Sequence, residues 1–294
     1  YPILSTCGHP KKDNQMQKSA RVIAIANHKG GCGKTATTVH LSAELAKLGM
    51  RVLIIDLDPQ ENASTHIGLK HPSEIDISIR DLIIPNFDQP TLTSADKEEL
   101  IEQAIHTKTH FDGVSLIYSS LRLTIDKDRI REKEPRPMEV LKEVIDKVKY
   151  DFDVILLDTP PSLEILTSNA LACATDYIVP IFSGSQYGMY GVVELQRYID
   201  SLKRINPQLN LLGALLVRHD ERQLMCRNIR DELEIALGKV IPITIPSSAK
   251  IDQAAKLHLT ISDIDTQSSI ARQFRELAKW TAKEIGFISD VSTS

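Results

Sequence analysis

Residues 22–35 read Val22-Ile23-Ala24-Ile25-Ala26-Asn27-His28-Lys29-Gly30-Gly31-Cys32-Gly33-Lys34-Thr35. An apolar run of strand type passes into a glycine-rich loop, and Val39, Leu41, Leu45 and Leu48 follow at roughly helical spacing. Strand, glycine loop, helix is the context a phosphate-binding loop requires. Without a Cβ, glycine lets the backbone wrap close to an anion. Successive N–H groups then point inward, and the helix start adds partial positive charge. Lys34 is placed to reach the β- and γ-phosphates of a nucleotide, and the Thr35 hydroxyl to ligate Mg²⁺. The common pattern G-x-x-x-x-G-K-[ST] would put glycine at position 28. This chain has His28 there, followed by a second lysine, Lys29.

Outward from the loop, short apolar runs recur at 22–26, 52–57, 114–117, 154–158, 177–181, 211–217 and 241–245. Several are apolar throughout, as strands covered on both faces are. Helical patterns lie between them, and Met138, Leu141, Val144, Ile145 and Val148 form one clear apolar stripe. This alternation predicts a doubly wound, mostly parallel α/β sheet with helices on both faces. Ligands of such sheets sit beyond the carboxyl ends of the strands. Lys34, Asp58 and Asp158 all follow strand ends, so they can converge. Residues 1–20 read as a polar tail, 21–288 as one domain and 289–294 as a short terminal tail. Pro72, Pro85 and Pro90 break up the stretch 70–112, within which 95–105 looks helical.

The hydrophobic fraction of 42% and charged fraction of 25% are close to globular averages, and 294 residues can bury a large core. No apolar stretch approaches the ~18–20 residues needed to cross a bilayer, and no secretory signal is expected. Four cysteines, at 7, 32, 173 and 226, form no C-x-x-C pair, which fits a reducing cytoplasm better than a disulfide framework or zinc knuckle. Cys32 lies inside the cradle, where amides and the helix start favour a thiolate. It reads either as a small filler residue or as a redox switch on nucleotide binding. The nine histidines form no metal-spaced cluster. A net charge of −4 restricts any nucleic-acid contact to a local patch.

Lys29-Gly30-Gly31-Cys32-Gly33-Lys34-Thr35 resembles the deviant Walker A motif of the ParA/MinD ATPases. Leu53-Ile54-Ile55-Asp56-Leu57-Asp58-Pro59-Gln60-Glu61-Asn62-Ala63-Ser64 is similar to the next motif of that family. Val154-Ile155-Leu156-Leu157-Asp158-Thr159-Pro160-Pro161-Ser162 resembles its Walker B strand and second switch. The resemblance spans about residues 21–285, and the Asp58-Pro59-Gln60 form favours the ParA partition branch. It implies a P-loop fold with ATP and Mg²⁺ as ligands. The expected nucleotide contacts are Lys29, Gly30, Gly31, Cys32, Gly33, Lys34, Thr35 and Ala36, and the expected metal side is Thr35, Asp56 and Asp158. Lys29, Lys34 and Asp58 carry the implied catalysis. Asp58 would orient the attacking water, and Lys29 would cross an ATP-sandwich homodimer to the partner's nucleotide.

Arg218-His219-Asp220-Glu221-Arg222-Gln223, with Arg227 and Arg230 on a helix beyond, resembles the DNA-type segment of the family, as does Ile245-Pro246-Ser247-Ser248-Ala249-Lys250. Arg218, Arg222, Arg227, Arg230 and Lys250 are therefore the expected contacts to non-specific DNA. Ser247 stands where the family has an arginine, and Asp231, Glu232 and Glu234 dilute the charge. The implied function is a cytoplasmic, nucleoid-associated partition ATPase, triggered by a ParB-like activator. Alternatives are a relative that positions a protein cargo, a membrane-cycling ATPase like MinD, and a metabolic P-loop enzyme. The last helical stripe, Ile270, Phe274, Leu277, Thr281 and Ile285, has acids mixed into its polar face. It suits docking on the sheet better than lying on a membrane.

Overall fold

A computed structural model describes residues 18–84, 93–184, 188–220 and 222–288, less the side chains of 188–191, 224, 225 and 227. Among these residues, seven strands form one sheet in the order β3-β2-β4-β1-β5-β6-β7. They are β1 (Arg21–Ile25), β2 (Val52–Asp56), β3 (Val114–Ile117), β4 (Val154–Asp158), β5 (Asp176–Phe182), β6 (Asn210–His219) and β7 (Val240–Pro246). All six pairings are parallel. Every apolar run picked out in the sequence is one of these strands.

The uniform apolarity has a simple cause. Successive side chains of a strand leave on opposite faces. Val22 and Ala24 of β1 enter one core layer with Leu141, Val144 and Ile165, while Ile23 and Ile25 enter the other with Leu41, Leu45 and Phe274. The helix Ser269–Glu284 buries Ile270, Phe274, Leu277 and Thr281, as expected of a docked element. It lies against the helix Lys34–Lys47 and β7. No helix among the described residues is long and apolar enough to cross a membrane.

The main body begins before residue 21. Ala20 is 3% exposed and donates its N–H to the Lys149 carbonyl, and Lys18 Nζ donates to the Gly286 carbonyl. Residues 18 and 20, placed in the expected tail over 1–20, thus bond to this body, and 1–17 and 289–294 lie outside the described residues. The broken stretch 70–112 contains a 3₁₀ turn at Pro72–Glu74 and helices at Ile79–Ile83 and Ser94–Ala104.

Sheet order places the glycine loop. The chain leaves β1 towards β2 and β3 on one side, then returns through β4 to build β5, β6 and β7 on the other. The crevice of an open α/β sheet lies at this reversal, beyond the carboxyl ends. The loop 26–33 follows β1 there.

Candidate functional site

The loop is held at both ends. Asn27, buried, donates Nδ2–H to the Pro180 carbonyl (2.8 Å) and accepts the Lys29 N–H on Oδ1 (3.1 Å), which ties the loop entry to β5. Gly31 and Gly33 have φ of 69° and 81°, a region that L side chains rarely adopt, so glycine is required at both. Gly33 caps the helix Lys34–Lys47, which brings the first free N–H groups of that helix to the loop. A cleft lined by Asn27, Lys29, Gly30, Gly31, Cys32, Ile181 and Phe182 opens beside it.

Lys34 is buried, and its Nζ donates to the Lys29 carbonyl (3.0 Å). In this arrangement the lysine head is parked on the loop's own backbone, where an anion can draw it away. Lys29 is half-buried at the front edge. Cys32 is 3% exposed and its thiol donates to the Lys29 carbonyl. Burial pushes this thiol up, and Lys34 only partly offsets that. The thiolate expected from the cradle's positive field is therefore not what the structure favours, because desolvation outweighs the field.

Register puts the carboxylates level. Asp158 pairs with Asp56 across β2 and β4, and with Ile25 across β1 and β4. Asp158 is fully buried. It accepts the Thr35 hydroxyl on Oδ2 (2.8 Å) and the Thr38 hydroxyl on Oδ1 (3.0 Å). Burial raises it to about 6; Asp58 adds to the rise, while both threonines and Lys34 pull it back. Asp56 is also fully buried and raised, first by burial and then by Asp158. It accepts the Asp58 N–H on Oδ1, and the Ser64 N–H and hydroxyl on Oδ2. Asp58 accepts the Gln60 N–H, and burial raises it too. The Ser119 hydroxyl holds the Asp58 carbonyl (2.7 Å) and the Ser119 N–H holds Ser64 Oγ (2.9 Å). The loop after β2 is thereby fixed to the end of β3.

Lys34, Thr35, Asp56, Asp58 and Asp158 are brought together as the sequence predicts. Thr38, Ser64 and Ser119 were not picked out from sequence. Thr38 could have been: three residues beyond Thr35, it shares the helix face towards β4. Asp56 differs in emphasis from the expectation. Its oxygens already accept three donors from its own loop, so it organises the turn carrying Asp58.

Among the described residues, the basic side chains of the charged segment engage neighbouring groups and do not form one open patch. Arg222 forms an ion pair with Asp220 (2.9 Å) and holds that carboxylate down to about 2. Lys250 pairs with Asp265. Arg230 is half-buried and donates to the Ile241 carbonyl (3.4 Å), so it is not on the exposed face expected for it. The exposed face of its helix carries Asp231, Glu232 and Glu234. The Arg227 side chain lies outside the described residues. Arg218 has φ of 50°, and its guanidinium lies 5.6 Å over the Phe182 ring. That sets it beside the cleft.

The AAA domain family matches residues 20–211 of the chain. The chain is 32% identical, over 90% of its length and 96% of the relative's, to the chromosome-partitioning ATPase Soj of Thermus thermophilus. Its fold is similar to cobyrinic acid a,c-diamide synthase of Mycobacterium smegmatis with bound ADP and magnesium, with a TM-score of 0.72 at 28% identity over 88% of this chain and 93% of that one. It also superposes on the ATP complex of a McdA variant from Cyanothece, with a TM-score of 0.75 over 94% and 99% of the two chains. At 19% identity, that likeness concerns the fold alone.

Proposed function

The chain belongs to the AAA domain family, as a P-loop ATPase of the ParA/MinD type, and from that premise we propose that it is a partition ATPase gated by ATP-dependent dimerisation. One observation carries the reading: Lys34, Thr35, Asp58 and Asp158 converge at the carboxyl ends of β1, β2 and β4, with the additional Lys29 at the front edge. The donor set suits Mg–ATP. Thr35 and Asp158 offer the hard oxygens magnesium takes, and the Gly31 and Gly33 backbone leaves room for phosphate. Magnesium bound there supplies charge neutralisation at the β- and γ-phosphates. Lys34 leaves the Lys29 carbonyl for the phosphates, and the Asp58 carboxylate orients the attacking water. Phosphoryl transfer asks for little more than such positioning. With Asp58 alone assigned to the water, turnover is slow and suited to timing.

Lys29 reaches the partner's nucleotide in the proposed dimer, so that ATP joins the two copies and hydrolysis separates them. The ATP-bound dimer holds nucleoid DNA through its phosphates, and a ParB-like protein on the cargo stimulates hydrolysis. The test is co-sedimentation with random-sequence duplex DNA, with a non-hydrolysable ATP analogue or ADP. Binding is expected only with the analogue, without sequence preference, and weakening steeply with salt in proportion to the phosphates contacted. Sequence-selective binding, or none with the analogue, overturns the DNA step. The pairing of Arg222 and Lys250 with Asp220 and Asp265 favours a second reading, in which the same ATPase positions a protein cargo. A cargo protein that stimulates hydrolysis without DNA would select it.

A further inference from the structure

Four imidazoles from four stretches of chain meet where the C-terminal segment lies on the phosphate-loop helix. His40 sits on that helix, six residues beyond Lys34. His66 is on the helix Asn62–Ile67, and His110 precedes β3. His258 ends the helix Lys250–Leu257 in a left-handed conformation. The His40 and His66 rings meet edge to face at 5.7 Å, and those of His110 and His258 stack at 4.9 Å. His66 Nε2 bonds the Leu259 carbonyl (2.9 Å), and His258 Nδ1 bonds the His66 carbonyl (3.2 Å). Phe274, from the helix Ser269–Glu284, closes over His40 at 4.9 Å.

His40 is 2% exposed, and neither of its ring nitrogens has a hydrogen-bond partner. A buried polar ring left unsatisfied weakens a fold, and an apolar side chain of similar volume would serve packing better. Stability does not explain a histidine there. We propose that this cluster forms an acid-sensitive latch: with His40, His66 and His110 neutral the segment 250–285 is held on the helix Lys34–Lys47, and their protonation releases it.

The surroundings offer an imidazolium little relief. Asp263, on the helix Ile261–Ile264, is the acid near His40, but its carboxylate already accepts from Thr260 and pairs with Lys47 (3.7 Å). Lys47 opposes a charge on His40, and Glu44 is engaged by Lys47 and Ser262. The helix Ser269–Glu284 buries Ile270, Phe274, Leu277, Ala278 and Thr281, none of them charged. His66 faces the charges of His258 and His110 and no carboxylate. Beside the outer pair, Lys108 and Lys256 stand two residues before the rings, and Asp112 two residues after His110. Burial accordingly lowers His66 and His110, and takes His40 down to about 3. His40, His66 and His110 neutral in the closed state and ordinary imidazoles in the open one give loss of closure as pH falls below about 6.5.

Trp280, the chain's single tryptophan, lies half-buried on the segment that would be released. The experiment titrates the full chain from pH 8 to pH 5, following Trp280 emission and far-UV ellipticity together. Emission is expected to shift to the red more steeply than one proton allows, while ellipticity is largely kept. His40→Leu removes one linked proton, so it should lower the midpoint and make the transition less steep. His110→Gln alters an exposed ring and should lower it less, leaving the spectrum at pH 8 unchanged. If His40→Leu does not fold, His110→Gln decides. An emission constant down to pH 5, a transition coincident with global loss of ellipticity, or unshifted midpoints in the variants overturns the latch.

Discussion

Asp158→Asn should make the nucleotide-free protein more stable while abolishing hydrolysis. Asp158 is fully buried and raised from an ordinary 3.8 to about 6, chiefly by burial. A carboxylate whose native pKa lies above its unfolded one takes stability away once it ionises. The loss is absent below about pH 3.8, grows through the window up to 6, and is complete above it. At 1.36 kcal/mol per tenfold, this amounts to about 3 kcal/mol at pH 8. The asparagine keeps the shape, and the Thr35 and Thr38 hydroxyls still find a carbonyl oxygen or an amide N–H. Weaker bonding without the charge takes back about 1 kcal/mol. A net gain of about 2 kcal/mol remains, which raises the urea midpoint by roughly 1 M. The assay is urea denaturation of both proteins without Mg²⁺ or nucleotide, at pH 8, 6 and 4. The advantage should be full at pH 8 and vanish by pH 4, where wild-type Asp158 is itself protonated. A variant less stable at pH 8, or a difference independent of pH, would refute the reasoning.

Lys29→Ala should still bind nucleotide but lose ATP-dependent dimerisation and turnover; size-exclusion with a non-hydrolysable analogue checks it, and a normal dimer removes the proposed role. Gly33→Ala forces a Cβ into φ of 81° and within 3.4 Å of Val217, at a cost of about 1–2 kcal/mol, and should weaken nucleotide binding measured by calorimetry. Asp176, fully buried, accepts from Arg21 Nε (2.9 Å), Thr175 Oγ1 (2.7 Å) and Asn210 Nδ2 (2.8 Å). Asp176→Ala takes the acceptor from Arg21, Thr175 and Asn210 and, with Arg21 one-third exposed, should cost about 1–3 kcal/mol in denaturation. Because Asp176 opens β5, at the opposite end of the strands from the site, the folded fraction should keep its specific activity.

Strands and phosphate loop were legible because their signals are local. A strand covered on both faces must be apolar at every position, and Val154–Leu157 and Val52–Ile55 can be nothing else in an alternating α/β pattern. The charged segment beyond β6 was less legible. Spacing alone says that Arg227 and Arg230 share a helix face, but which face is buried depends on where β7 passes. Arg230 was drawn onto the Ile241 carbonyl by that neighbour. The fate of Arg222 turned on Asp220 reaching it. Of the two readings of Cys32, the buried thiol fits the small filler and not the thiolate switch, for a similar reason: the sign depends on how much water the folded loop excludes.

What the chain determined by itself is the identity of the loop and the sheet that carries it, since glycine placement and apolar periodicity act through bonds and neighbours within a few residues. What only the tertiary structure decided is which polar groups end up facing one another. Thr38 and Asp158 are 120 positions apart, and His66 and His258 are 192 apart. Contacts at that separation follow from strand order and helix packing, and the energy of each depends on how much water the assembled layers exclude.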